Sequence, residues 1–189
     1  MPRFERRVPE GDNRERLVCA DCGFVAYDNP KVVVGSVVAD GGHVLLCRRA
    51  IDPRRGFWTL PAGYLENDET LAEGAAREAW EEATARIAID GILAVFTISR
   101  LSQVQVIFRA GFAADSAVDS AAKRFAAGPE SLEVDLFHWD DIPWSEIAFP
   151  SVRWALNTWH TLGTAPLGAP FGNPPEDARG IRRLEEGGL

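Results

Sequence analysis

The sequence predicts an α/β fold, with helices packed on a mixed β-sheet, and three observations carry that expectation. Apolar, β-prone runs recur along the chain, among them KVVVGSVVAD (31–40), IAIDGILAVFTIS (87–99) and QVQVIFRAGF (103–112). A capping box opens one helix near residue 71, and a second helical pattern occupies SVRWALNTWHTL (151–162). Strands interleaved with two helices build a layered sandwich.

The elements follow in chain order. Residues 1–18 are polar and charged and are expected to be loosely ordered. Lys31–Ala39 and HVLLC (43–47) flank Asp40-Gly41-Gly42, the pattern of a hairpin. GFWTLPAG (56–63) reads as a short aromatic strand that ends at Pro61 and gives way to a loop. Thr70 and Glu73 have the S/T-x-x-E spacing of a helix start. Leu71, Ala72, Ala75, Ala76, Ala79, Trp80 and Ala83 then form an apolar side made mostly of small residues, which lets the helix lie close to a sheet. Gly74 weakens it by about 1 kcal/mol relative to Ala. Val104, Val106 and Phe108 alternate as in a half-buried strand. Residues 113–128 read as loop or weak helix, and LEVDLFHWD (132–140) as a strand. The second helix carries Val152, Ala155, Trp159 and Leu162 on one face. From Gly163 the chain is rich in Gly and Pro, so the tail is expected to be mobile or to pack on a partner. The organisation read from this pass is an N-terminal segment (1–30), a catalytic-sized domain (31–162) and a tail (163–189).

Composition narrows the function. A chain of 189 residues with 46% hydrophobic residues has enough apolar surface for one ordinary core. Twenty basic against twenty-eight acidic side chains leave a net charge of −8, which argues against a nucleic-acid binder. A small phosphorylated ligand stays compatible, because a divalent metal reverses local charge. No stretch approaches the roughly 20 apolar residues of a membrane helix. MPRFERRVPEGDNRER has no signal-like apolar core, and three cysteines make no disulfide framework, so a cytoplasmic protein is expected.

Residues 63–85 gather seven carboxylates. Positions four apart on a helix differ by roughly 40° and three apart by roughly 60°, so Glu78, Glu81 and Glu82 share one side. Arg77 lies four after Glu73 and four before Glu81 and is expected to bridge them. Three converging carboxylates suit Mg²⁺ or Mn²⁺, hard cations that share substrate phosphates. The plain alternative is a solvated acidic face.

The spacing decides between these readings. Gly63, five residues, Glu69, seven residues, Arg77-Glu78, two residues and Glu81-Glu82 form the Nudix box, so the chain resembles the Nudix hydrolases over about residues 12–162. The resemblance implies an α/β/α sandwich around a mixed sheet. It also implies an enzyme that cleaves a nucleoside diphosphate linked to another moiety, and a homodimer. Glu78, Glu81 and Glu82 would then bind Mg²⁺ or Mn²⁺ with the carbonyl of Ala62, and in some members the residue matching Glu78 is the general base. Glu130 and Glu133 in GPESLEV are candidates for the further carboxylate that often assists from a later loop. Two positions depart from the family pattern. Thr84 stands where Gly is usual and Ala85 where a larger aliphatic residue is usual, which touches the turn at the helix exit more than the chemistry.

CADCGFVAYDNPK resembles the second knuckle of the zinc ribbon that precedes some Nudix domains. Cys19 and Cys22 supply two of the four ligands that a closed site needs, so the segment reads as a vestigial ribbon without zinc. The alternative is a site shared with another subunit. Cys47 reads as buried core, and His43, His138 and His160 are scattered. RRGFWTLPAGYLE and GPESLEVDLFHWDDIP are similar to the ribbon-bearing subgroup that hydrolyses FAD and ADP-ribose. TISRLSQVQV lacks the array of NADH-specific members. Phe57 and Trp58 could stack on a flavin or adenine, or belong to the core. Two other functions stay open: a housecleaning nucleoside triphosphate hydrolase, and a nucleotide-sensing module without turnover.

Overall fold

The computed structural model describes residues 1–114, 124–175 and 182–183, in two compact units, Met1–Pro30 and Lys31–Leu189.

In the first unit, β1 (Phe4–Arg7), β2 (Arg16–Cys19) and β3 (Val25–Ala26) form an antiparallel sheet in that order. The expectation of a loosely ordered N-terminus is corrected here. β1 pairs with β2 in register from Phe4↔Cys19 to Arg7↔Arg16. The turn between them is organised by Asp12, whose carboxylate accepts hydrogen bonds from the Asn13 and Arg14 amides and from Arg16 Nε at 3.0 Å. All four side chains of β1 are exposed, so the strand writes no apolar alternation into the sequence. In the knuckle, the Gly23 N–H donates to Cys19 O and the Cys19 N–H donates to Phe24 O. Gly23 has φ 75°, which a side chain would resist.

The second unit is a nine-stranded mixed sheet. Its strands are β4 (Lys31–Asp40), β5 (His43–Arg49), β6 (Trp58–Thr59), β7 (Ala62–Tyr64), β8 (Ile87–Ile98), β9 (Gln103–Phe112), β10 (Ser131–His138), β11 (Phe171–Gly172) and β12 (Arg182–Arg183). The order is β10-β5-β4-β9-β8-β11-β12, with β6 on β5 and β7 on β4. β4 runs parallel to β9, and β8 and β9 form a long antiparallel hairpin.

Alternation along β4 sorts the helices onto opposite faces. Val34 points to α1 (Leu71–Ala83) with Val106, Phe108 and Ala75. Val37 points to α2 (Pro150–Leu162) with Ile107, Phe96, Val152, Ala155 and Leu156. The fold is the expected α/β/α sandwich. Gly74 is required where it stands, because a Cβ there would lie 3.0 Å from Val34 Cγ2 and 2.7 Å from Glu69 Oε1. Trp80, assigned to the apolar side of α1, is instead half exposed with the Arg86 guanidinium over its ring.

The described part of the tail departs from expectation. β11 pairs in parallel with β8 through Phe171↔Ala94, and Phe171 is buried in the α2-side core. Asn173 accepts from the Thr97 N–H at 2.8 Å and donates to the Thr97 carbonyl at 2.9 Å. Arg109 donates to the Ala165 carbonyl at 2.7 Å. Residues 163–175 are therefore docked on this sheet, with β11 between β8 and β12. Most of the segment read as loop or weak helix (113–128) lies outside the described residues.

Candidate active site

α1 starts where the sequence places it. Thr70 Oγ1 accepts from the Glu73 N–H, and Glu73 Oε2 accepts from the Thr70 N–H at 2.8 Å. This reciprocal cap occupies Glu73, so the expected bridge from Arg77 to Glu73 is not made. Arg77 turns instead to Glu69, with Nε to Oε2 at 3.0 Å and Nη2 to Oε1 at 2.8 Å, a bidentate pair. It also donates to the Tyr64 carbonyl, to Glu78 Oε1 at 2.7 Å and to Glu81 Oε2 at 2.9 Å. The Arg77 contact holds the Glu69 carboxyl down at about 2, assisted by the Glu66 amide. Arg77 thus pins the loop after β7 onto the helix.

The last turns of α1 have the opposite character. Glu78 and Glu82 are buried, with residual exposures of 8% and 5%. Gly63 makes room for Glu78, since a Cβ there would lie 2.4 Å from its Oε1. Glu82 Oε2 accepts from the Ala62 N–H at 3.1 Å, so this peptide is fixed beside the carboxylates. Burial pushes the Glu82 carboxyl up to about 8, against the Ala62 hydrogen bond and with help from the charges of Glu78 and Glu130. Burial likewise raises Glu78, although Arg77 opposes it.

Glu81 does not join them. It is exposed and held by Arg77, and among the described residues no three carboxylate, thiol or imidazole groups converge on one point. Without a cation the three carboxylates are arranged as a buried pair with Glu81 at its rim. The donor set still fits a hard divalent cation. Arg77 answers Glu78, whereas Glu82, desolvated beside that like charge, has only the Ala62 amide and the Arg49 charge to favour its ionised form, and a cation would complete the balance.

The two later-loop candidates separate. The charge of Glu130 acts on both Glu78 and Glu82. Its loop is sewn to the helix end by Gly128 N–H to Glu82 O at 3.0 Å and by Ala126 N–H to Ala83 O at 2.8 Å. Glu133 pairs instead with Arg48 at 3.4 Å on the β5–β10 ladder.

Sequence reasoning missed two residues here. A Cβ on Gly128 would lie 1.7 Å from the Glu81 carbonyl, so only glycine lets the loop approach. The Gly-Pro before Glu130 was its visible signal. Arg49 is the other, a cation whose charge favours ionised Glu82 while its Nε donates to the Pro53 carbonyl at 2.8 Å. Nothing in the strand pattern of HVLLCRR marks it.

The aromatic pair also divides. Trp58 is core, edge-on to Phe137 at 4.8 Å, and is not free to stack on a ligand. Phe57 is half-buried with Arg54 at 5.3 Å from its ring.

At the helix exit, Thr84 adopts the left-handed conformation with φ 45°, and its N–H donates to Trp80 O. The turn that glycine usually makes is kept by a β-branched residue. Its hydroxyl donates to the Ala126 carbonyl at 3.2 Å.

A sandwich with a capped helix that aims buried glutamates at the strand before it defines the Nudix architecture. The chain belongs to the Nudix hydrolase family: residues 29–155 match the NUDIX domain, and residues 2–28 match the Nudix N-terminal zinc-ribbon segment. It is similar to a NUDIX hydrolase of Nitrosomonas europaea known by crystal structure. The two share 42% identity and a TM-score of 0.81 over 90% of this chain and 93% of that one. Among curated proteins it resembles a MutT-like protein of Streptomyces ambofaciens, at 42% identity over 77 residues. That match covers 41% of this chain and 48% of the relative. It also resembles Phosphatase NudJ of Escherichia coli, at 49% identity over 53 residues, 28% of this chain and 34% of the relative. The chain therefore spans about half or less of the curated relatives it matches.

The ribbon segment does not fit zinc as the hydrolase site fits a hard cation. Cys19 is buried and Cys22 exposed, and no third cysteine, histidine or carboxylate joins them among the described residues. Cys19 is instead served by the Cys22 and Asp21 amides, which lower its pKa.

Proposed function

We propose that this chain is a Mg²⁺- or Mn²⁺-dependent pyrophosphatase that hydrolyses the diphosphate of FAD or ADP-ribose and releases AMP. The observation that carries the reading is the buried Glu78–Glu82 pair held against the Ala62 peptide. Glu78, Glu82 and the Ala62 carbonyl would hold the cation, with Glu81 joining after it leaves Arg77. The cation, when bound, neutralises the diphosphate and lowers the pKa of a bound water. Arg49, beside Glu82, offers a guanidinium to a phosphate oxygen. Glu130, exposed at the loop end, is the carboxylate assigned to take the proton from the attacking water.

A panel of FAD, ADP-ribose, NADH and nucleoside triphosphates tests the reading, assayed with each metal. AMP release from FAD or ADP-ribose is the expected outcome. Turnover confined to triphosphates would reassign the substrate. Tight nucleotide binding with no turnover would make the chain a sensor.

A further inference from the structure

The sheet face opposite α1 carries a polar row that the metal site does not use. On β4 and β9 the register aligns Lys31 with Gln103 and Val33 with Gln105, while Val33 on its other side aligns with Tyr64 of β7. All five point away from α1, because Val32, Val34, Val104 and Val106 between them pack toward it. The polar groups are linked. Gln105 Nε2 donates to Gln103 Oε1 at 3.3 Å, and Gln103 Nε2 donates to the Tyr64 hydroxyl at 3.2 Å. Lys31 Nζ sits 5.2 Å from the centre of the Tyr64 ring.

Amides at two successive outward positions at the start of β9 need a reason, since valine or isoleucine would pack there at no polar cost. Their neighbours across β8 are Ile98 beside Gln103 and Phe96 beside Gln105, so the row borders an apolar floor. Its place relative to the metal site follows from the ladder. Ala62 lies opposite Gly35, which lies opposite Ile107, two residues beyond Gln105. Two strand spacings and two residue steps put the Cα of Gln105 about 12 Å from that of Ala62. A ribose and base extending from a phosphate at the metal site reach that far.

We propose that Gln103 and Gln105 form the base-reading site of this hydrolase and select adenine; the proposal rests on the pyrophosphatase reading above for its substrate. The amide gives the selectivity. Gln105 spends one Nε2 proton on Gln103 and keeps its second proton and its Oε1 as a donor and an acceptor for a ligand. That pair complements the ring nitrogen and the 6-amino group of adenine, the bidentate match that glutamine makes to this base. On the same edge hypoxanthine and guanine present two acceptors, the ring nitrogen and a 6-oxo group, so one of the two contacts is lost. The Tyr64 hydroxyl holds the far end of the row and makes Tyr64 a positioning residue.

Calorimetric titration of AMP and IMP onto the Mg²⁺-loaded full chain tests this without turnover. The wild type is expected to bind AMP about tenfold more tightly than IMP, within the range a bidentate base contact supplies. Gln103→Leu/Gln105→Leu should bring the two within about twofold, with the melting temperature kept. Gln105→Glu, isosteric but without the outward donor, should lose AMP affinity to a similar extent. Equal binding of AMP and IMP by the wild type overturns the proposal, as does a preference that survives in the double variant. AMP preference with no hydrolysis of FAD or ADP-ribose would uphold base reading and overturn only the catalytic assignment.

Discussion

Glu69 and Glu82 belong to one motif on one helix and its lead-in, yet their environments drive them in opposite directions. Glu69 meets a bidentate Arg77 and a backbone amide, and its carboxyl is held at about 2. Glu82 is buried beside like charges with the Ala62 amide as partner, and its carboxyl rises to about 8. The first end of the motif is a finished structure, with each charge answered within the chain. At the second end two buried carboxylates crowd one backbone amide, and the proposed cation would answer their charge. A motif read as six equivalent positions is therefore two devices, a clamp and a site, joined by Arg77.

The largest effect that sharpens this contrast is expected from Glu82→Gln. Activity should fall by orders of magnitude, because the charge that holds the cation is gone. The metal-free protein should nonetheless melt higher than wild type at pH 8, since a neutral amide escapes the cost of a buried carboxylate. Thermal melts together with kcat check both halves. Activity within about threefold of wild type would take Glu82 out of the site.

Arg77→Met attacks the clamp instead. It should lower the melting temperature, return Glu69 toward an ordinary carboxylate, and free Glu81. A Glu69 titration by NMR that stays near 2 would show that another group holds it.

The pH dependence carries the contrast in one curve. Glu82 has a raised folded pKa, so its stabilising contribution is complete below its ordinary 4.5 and is lost as pH rises through about 8. Glu69 has a lowered one, so its contribution is present above 4.5 and is lost as pH falls toward 2. Without metal the melting temperature should decline on both sides of a maximum near pH 5. Added Mg²⁺ should flatten the alkaline side alone, because only that side reports the site.

The smallest effect concerns the helix exit. Thr84→Gly should stabilise the protein by about 0.5–1 kcal/mol, because a β-branched residue resists positive φ. Loss of the hydroxyl contact to Ala126 reduces the gain. A denaturant titration that shows destabilisation would mean that this contact outweighs the backbone strain.

The glutamate spacing, the capping box and the small-residue face of α1 were legible in the sequence, because each is local and obeys helical geometry. The strand runs were legible for the same reason, through alternation and branching. The N-terminal strands were not, since a ribbon exposed along β1 leaves no apolar pattern. Nor was the docking of the tail, which depends on Phe171 finding the edge of β8 from far along the chain.

The sequence by itself determined that Glu78 and Glu82 share one side, because helical spacing places them there whatever surrounds them. Only the tertiary structure decided their chemistry. Arg77 had two glutamates at helical reach, but the cap took Glu73, and the loop after β7 brought Glu69 in its place. Whether a carboxylate is answered by a guanidinium or buried beside like charges depends on neighbours distant in sequence. Desolvation and charge act through space, and no local pattern records them.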